Sequence, residues 1–93
     1  MLSSSYKIPG GKLIKVKLWV DSEKIERITI LGDFFLHPEE TIQAIENALI
    51  GTELNVTSIE STISKVMSES DAKLIGATPE DFVTTIMIAW ESQ

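Results

Sequence analysis

The chain has no cysteine. That excludes disulfide frameworks, thiolate-ligated metals, iron–sulfur clusters and cysteine nucleophiles. Histidine is nearly absent too: His37 stands alone, so neither a catalytic triad nor a multi-histidine metal site can be assembled. No apolar run approaches the length of a membrane span, and Met1-Leu2-Ser3-Ser4-Ser5-Tyr6-Lys7 lacks the apolar core of a signal peptide. A soluble, unprocessed, cytoplasmic protein with no membrane contact is expected. Basic residues are scarce, 8 Lys and Arg against 14 Asp and Glu, and the net charge of −6 argues against general nucleic-acid binding.

What remains suits an ordinary globular domain. Ninety-three residues, 43% hydrophobic and 24% charged, predict one domain over 1–93 with a single modest core. The charge is unevenly spread. Through Arg27, six cations face three acids, leaving +3; from residue 28 onward, Lys65 and Lys73 face eleven acids, leaving −9. The N-terminal part is thus a small cationic surface on an acidic body.

From Lys12 to Val20 the residues alternate, with Ile14, Val16, Leu18 and Val20 on one side and Leu13, Lys15, Lys17 and Trp19 on the other. Period two predicts a half-buried strand. Asp21 to Lys24 supplies turn chemistry, and Ile25–Leu31 reads as the returning strand of a hairpin. A three-residue loop, Ser22 to Lys24, would set Leu18 opposite Ile28, Val16 opposite Ile30, and Trp19 opposite Arg27 in a cation-to-ring contact. Gly32 breaks the strand, and Asp33-Phe34-Phe35-Leu36 continues extended as a short third strand.

Three helices follow. His37-Pro38-Glu39-Glu40 predicts a helix start with Pro38 in the first position, an apolar stripe of Ile42, Ile45, Ala48 and Leu49, and an end at Gly51. Thr57 and Glu60 form a capping-box pattern before Ile59, Ile63, Val66 and Met67. Residues 68–77 read as a loop. Thr78-Pro79-Glu80-Asp81 opens the last helix, whose buried side is Phe82, Val83, Ile86, Met87 and Trp90. The expected class is α+β, a small antiparallel sheet covered on one face by three helices, with residues 1–5 as a disordered lead.

Several residues invite chemistry. Gly10-Gly11-Lys12 admits a phosphate reading, because successive glycines let backbone N–H groups face an anion beside a lysine charge. As a motif it is weak, and the residues alone favour a flexible entry to the hairpin with a solvated lysine, since the glycines precede a strand and no helix follows as in a Walker loop. Helix capping and strand-end hydrogen bonding explain Asp33, Glu39 and Glu40 better than acid–base catalysis, and His37 reads as a capping or contact residue. Phe34 and Phe35 are consecutive in an extended segment and point to opposite faces. Either one faces a partner or the sheet is covered on both sides there. Taken alone, the residues describe a module with a basic, aromatic-bearing edge and no complete catalytic constellation.

The stretch Tyr-Lys-Ile-Pro-Gly-Gly-Lys-Leu-Ile-Lys-Val from Tyr6, Gly-Asp-Phe-Phe from Gly32, the acidic helix closing near Gly51 and Thr78-Pro79-Glu80-Asp81-Phe82 together resemble the accessory domain of lipoate-protein ligases. The similarity spans about Tyr6 to Trp90. In most members this domain follows a large catalytic domain; here it resembles the free-standing small subunit of a bipartite ligase. The resemblance implies that the chain works as a heterodimer with a large catalytic subunit and is not active alone. It implies an ATP-dependent activation of lipoate to lipoyl-AMP, then transfer to a lysine of a lipoyl domain, a protein this chain meets only indirectly. ATP, magnesium and lipoate would sit in the large subunit, and this chain alone would bind no cofactor and supply no catalytic residue. Gly10, Gly11 and Lys12 would lie nearest the nucleotide; Lys15, Lys17, Trp19, Asp33, Phe34, Phe35 and His37 would contact the partner. The fold relationship to iron–sulfur scaffold proteins carries no activity here, because their cysteines are missing. The competing reading is a non-enzymatic interaction module that only stabilises a large partner.

Overall fold

A computed structural model describes residues 1–93. The order is β1 (Leu2–Lys7), β2 (Leu13–Asp21), β3 (Lys24–Gly32), β4 (Phe35–His37), α1 (Thr41–Leu49), α2 (Val56–Glu69), β5 (Lys73–Ile75) and α3 (Pro79–Glu91). The α+β class is as expected. The sheet is three-stranded and antiparallel in the order β1-β2-β3, while β4 and β5 form a separate two-stranded ribbon.

Two expectations change together. Residues 1–5 are not a disordered lead, because Leu2–Lys7 pairs with β2 from Leu2↔Leu18 to Lys7↔Leu13. Accordingly the third strand of the sheet is β1, and the extended segment after Gly32 leaves the sheet to pair with β5. That partner lies inside 68–77, the stretch expected to be a loop. A three-residue strand has too little periodicity to register in sequence, and long-range pairing creates it.

The β2–β3 hairpin has the expected pairs Val16↔Ile30, Leu18↔Ile28 and Trp19↔Arg27. Its loop is two residues, however, not three. Ser22 (φ 53°) and Glu23 (φ 62°) both take the left-handed region that two-residue hairpin turns require. A bulge then places one extra residue, Glu26, between the Val20↔Ile25 and Trp19↔Arg27 pairs, which restores the apolar register.

Ile14, Val16, Leu18, Ile28 and Ile30 form the buried face of the sheet. Full burial of each such side chain contributes about 1.5–3 kcal/mol. The helix α3 lies over β1 and β2, and α1 over β3; α2 packs against both helices rather than the sheet. Ile45, Leu49, Ile59, Ile63, Phe82 and Ile86 complete the core. Within it Ser4 Oγ donates to the Thr85 carbonyl at 2.7 Å, so the serine on the buried face of β1 is satisfied.

Helix boundaries depart from expectation in two places. Pro38 does not open α1: its carbonyl accepts the Thr41 N–H at 3.0 Å in a preceding turn, and the α pattern begins at Thr41, which is buried while Ala48 is exposed. For α2 the cap is Asn55, whose side chain accepts the Ser58 N–H at 2.8 Å, two residues ahead of the expected Thr57. α1 stops at Leu49, close to the expected end: Ile50 turns extended, and Gly51 (φ 85°) is the third residue of a type II turn closed by the Thr52 N–H on the Leu49 carbonyl at 3.0 Å. Thr78 and Asp81 cap α3 reciprocally, and Thr85 and Ala89 join its buried face while Met87 and Trp90 are half-buried.

Candidate functional site

The connection between β1 and β2 is built from Ile8-Pro9-Gly10-Gly11. The Gly11 N–H donates to the Ile8 carbonyl at 2.8 Å, with proline second and Gly10 (φ 71°) third, the pattern of a type II turn. The Lys12 N–H donates to the Gly76 carbonyl at 3.3 Å. Two amides that an anion cradle would need are therefore engaged internally, and two cations stand at this tip: Lys7, whose ammonium donates to the Gly11 carbonyl, and the exposed Lys12, whose ammonium makes no hydrogen bond within the chain. Gly76 (φ 91°) supports it from below. A Cβ added there would lie 2.5 Å from Lys12 Cγ, so the lysine stem rests on the bare glycine backbone.

Asp33 is fastened to the other side of β2. Its Oδ1 accepts the Leu13 N–H at 2.7 Å, and its own N–H donates to the Leu13 carbonyl at 3.2 Å. Gly32 makes this possible, because a Cβ there would stand 2.3 Å from the Leu13 carbonyl oxygen and 2.8 Å from the Phe34 ring. Asp33 thus makes a strand-end hydrogen bond.

The two phenylalanines divide as the pleat demands. Phe34 turns inward and meets Phe82 edge-on, with centroids 5.0 Å apart and an interplanar angle of 82°. Phe35 turns outward, 58% exposed, opposite Ile75 at 64%. His37 is exposed and pairs across the ribbon with Lys73.

Lys12, Ile75 and Phe35 therefore share one end of the molecule, because the ribbon leads through Ile75 directly into Gly76. Beside them runs a groove of 270 Å³ lined by Leu31, Gly32, Phe34, Phe35, Glu39 and Ile42. Leu31 is 51% exposed and lies opposite Lys15. This joins the ribbon to the outer face of the sheet, where Ser3, Lys17 and Thr29 form one row and Ser5, Lys15 and Leu31 the next, with no carboxylate between them. Phe35, Ile75 and Leu31 are an exposed apolar patch flanked by Lys12 and Lys15.

Trp19 does not join this end. It lies seven residues along β2 from Lys12, roughly 23 Å at strand spacing, and Arg27 covers its ring at 4.7 Å. Leu31 and Ile75 are members that sequence reasoning left out. The alternation through Ile28 and Ile30 places Leu31 outward and could have identified it. Nothing local marks Ile75, which is brought in by pairing with Phe35. No group of three or more His, Asp or Glu is arranged to hold a metal ion, and no helix is long and apolar enough to cross a membrane.

Comparison with known proteins converges on one family. The model of the bacterial lipoate protein ligase C-terminus matches residues 1–86. The chain is 34% identical over 90 residues to lipoate-protein ligase A subunit 2 of Thermoplasma acidophilum, covering 95% of this chain and 89% of that protein. Among solved structures, one of an archaeal lipoylation system, a bi-partite lipoate protein ligase and its E2 lipoyl domain from the same organism, contains a chain that superposes with a TM-score of 0.79. Its sequence identity is 32%, and the match covers 92% of this chain and 94% of that one. A turn, a glycine-hinged strand end and a capped last helix that together span the domain thus fall inside a single matched unit, and the chain belongs to the lipoate protein ligase C-terminal family.

Proposed function

We propose that this chain is the accessory subunit of a two-chain lipoate-protein ligase, acting in the cytoplasm with a separate large catalytic chain. The observation that carries this reading is the match over nearly the whole domain to a relative named as a ligase's second subunit. In the first step the lipoate carboxylate attacks the α-phosphorus of ATP, forming the acyl–phosphate bond of lipoyl-AMP and releasing pyrophosphate. In the second, a lysine amine of a lipoyl domain takes the lipoyl group and AMP leaves. ATP, magnesium and lipoate belong to the large chain, and no residue of this chain forms or breaks a bond.

The contribution of this subunit is electrostatic and steric. Activation brings a carboxylate up to a polyphosphate, so a fixed cation and exclusion of water both lower that barrier. Lys12 is the cation assigned here, held out by Gly76, with the apolar Phe35, Ile75 and Leu31 docking beside it and Lys15 and Lys17 contributing to the field. Transfer needs room for the acceptor domain, which favours withdrawal of this edge.

Mixing the chain with its large subunit and measuring lipoate-dependent pyrophosphate release tests the proposal; release by the pair and by neither alone is expected. The second reading, a module that merely stabilises the large chain, gains support from the internally engaged Gly11 and Lys12 amides. It wins if Lys12, Lys15 and Lys17 can all be neutralised without slowing activation while the complex persists.

A further inference from the structure

The two edges of the three-stranded sheet are finished differently. On β3, the Ile30 N–H donates to Glu46 Oε2 at 2.7 Å, the Ile25 N–H to the Thr52 carbonyl at 2.9 Å, and the Ile25 carbonyl accepts the Gly51 N–H at 2.7 Å. That edge is covered by α1 and the loop after it. On β1 no such cover exists.

Which groups face outward on β1 follows from the ladder. Because Ile30 directs its N–H away from β2, its partner Val16 directs its own main chain toward β1, as antiparallel pairing alternates. Val16 pairs with Ser4, so Leu2, Ser4 and Tyr6 bond to β2. Ser3, Ser5 and Lys7 then turn their N–H and C=O groups outward. The bonds beyond the strand agree, since the Ile8 N–H donates to the Lys12 carbonyl on the β2 side. No intramolecular hydrogen bond reaches the outward amides of Ser3, Ser5 and Lys7. The strand contains no proline, and its register runs unbroken. It has none of the usual devices that blunt a sheet edge except the charge of Lys7.

We propose that an extended segment of the large catalytic chain adds to β1 as a fourth strand, an inference that rests on the accessory-subunit reading. The family model describes the C-terminus of bacterial ligases and matches from residue 1, so the catalytic part of a fused ligase joins this domain at the end where β1 begins. Charge selects the side chains of that segment. On the outer face it would lie beside Ser3, Ser5 and Lys7, with Lys15 and Lys17 next in the register rows, which calls for Asp or Glu. On the inner face it would extend the cover over half-buried Leu2 and Tyr6, which calls for apolar residues. The occupant is therefore a strand alternating acidic and apolar residues. A second copy of β1 fits poorly, since it would set two cationic faces side by side.

The test combines one substitution with amide exchange. Ser5→Pro removes an outward N–H while leaving the Ser4 and Tyr6 ladder bonds in place, as proline is tolerated on an open edge. Thermal unfolding should stay close to that of the parent while affinity for the large chain falls roughly tenfold, with Ser5→Thr as the unaffected control. In the unsubstituted complex, NMR-detected exchange at the Ser3, Ser5 and Lys7 amides should slow by at least about tenfold. Unchanged exchange at those amides in a formed complex overturns the proposal even if Ser5→Pro fails to fold, and so does sedimentation of the chain alone as a dimer protected there. If no complex forms between the unsubstituted chains, the accessory-subunit reading fails first and this inference with it.

Discussion

Asp33 and Leu13 hold each other twice: carboxylate to amide at 2.7 Å and amide to carbonyl at 3.2 Å. This reciprocal pair closes the β2–β3 ladder where the chain leaves the sheet, and it aims the next four residues toward β5. Asp33→Ala should destabilise the domain by about 1–2 kcal/mol, through the loss of a charge-assisted bond to a main-chain donor. Asp33→Asn, which keeps an acceptor, should recover most of it. Thermal melts decide, since about 1 kcal/mol shifts Tm by roughly 4–8 °C in a domain of this size.

Gly32 is needed for space, Gly10 for conformation. A methyl group at Gly32 meets the Leu13 carbonyl and the Phe34 ring, whereas at Gly10 it meets nothing within 4 Å but must accept φ 71°. Gly32→Ala should cost about 1–3 kcal/mol through overpacking. Gly10→Ala should cost about 1–2 kcal/mol through the left-handed backbone. Urea denaturation measures both, and only Gly32→Ala should also disturb the Phe34–Phe82 contact seen in aromatic NMR shifts.

Adjacent phenylalanines should respond oppositely to truncation. Phe34→Ala removes the edge-on contact with Phe82 and should cost about 3 kcal/mol of stability. Phe35→Ala should change stability by no more than about 0.5 kcal/mol yet weaken the complex with the large chain roughly tenfold as an exposed anchor is lost. Calorimetric titration beside a melting curve separates the two effects; tight binding by Phe35→Ala would remove the patch from the interface.

Lys12→Ala should slow lipoyl-AMP formation by roughly tenfold or more, the scale of losing one electrostatic contact to a developing charge. Transfer from supplied lipoyl-AMP should be spared. Equal loss in both half-reactions would mean that docking, not activation, depends on the lysine.

The hairpin was legible because alternation specifies register: with Val16, Leu18, Ile28 and Ile30 on one face, a one-residue slip turns the charged side chains of the slipped strand inward, Lys15 and Lys17 on β2 or Arg27 on β3. Turn length was less legible. Both a three-residue loop and a two-residue loop with a bulge give the Trp19↔Arg27 pair, and the choice rests on Ser22 and Glu23 accepting positive φ, which their side chains do not announce. For α3, Thr78, Pro79 and Asp81 marked the start correctly, because there the local capping box does form, whereas the same pattern at Thr57 and Glu60 gave way to Asn55 two residues earlier. The α1 start misled, because His37-Pro38-Glu39-Glu40 carries the same local signals but winds into a turn before the helix.

Alone, the order of residues determined what local chemistry can determine: one cysteine-free α+β domain, a cationic hairpin on an acidic body, its register, and the start of the last helix. Tertiary structure decided whatever depends on a distant partner. Ser3 to Ser5 became strand because Val16 and its neighbours offered them an unsatisfied edge. Ile75 became part of a surface because Phe35 pairs with it. Lys12 found its platform because Gly76, sixty-four positions away, carries no side chain to occupy the same space. Such contacts leave no periodic trace in sequence, since a strand of three residues or a single glycine acquires its role only from the backbone that packs against it.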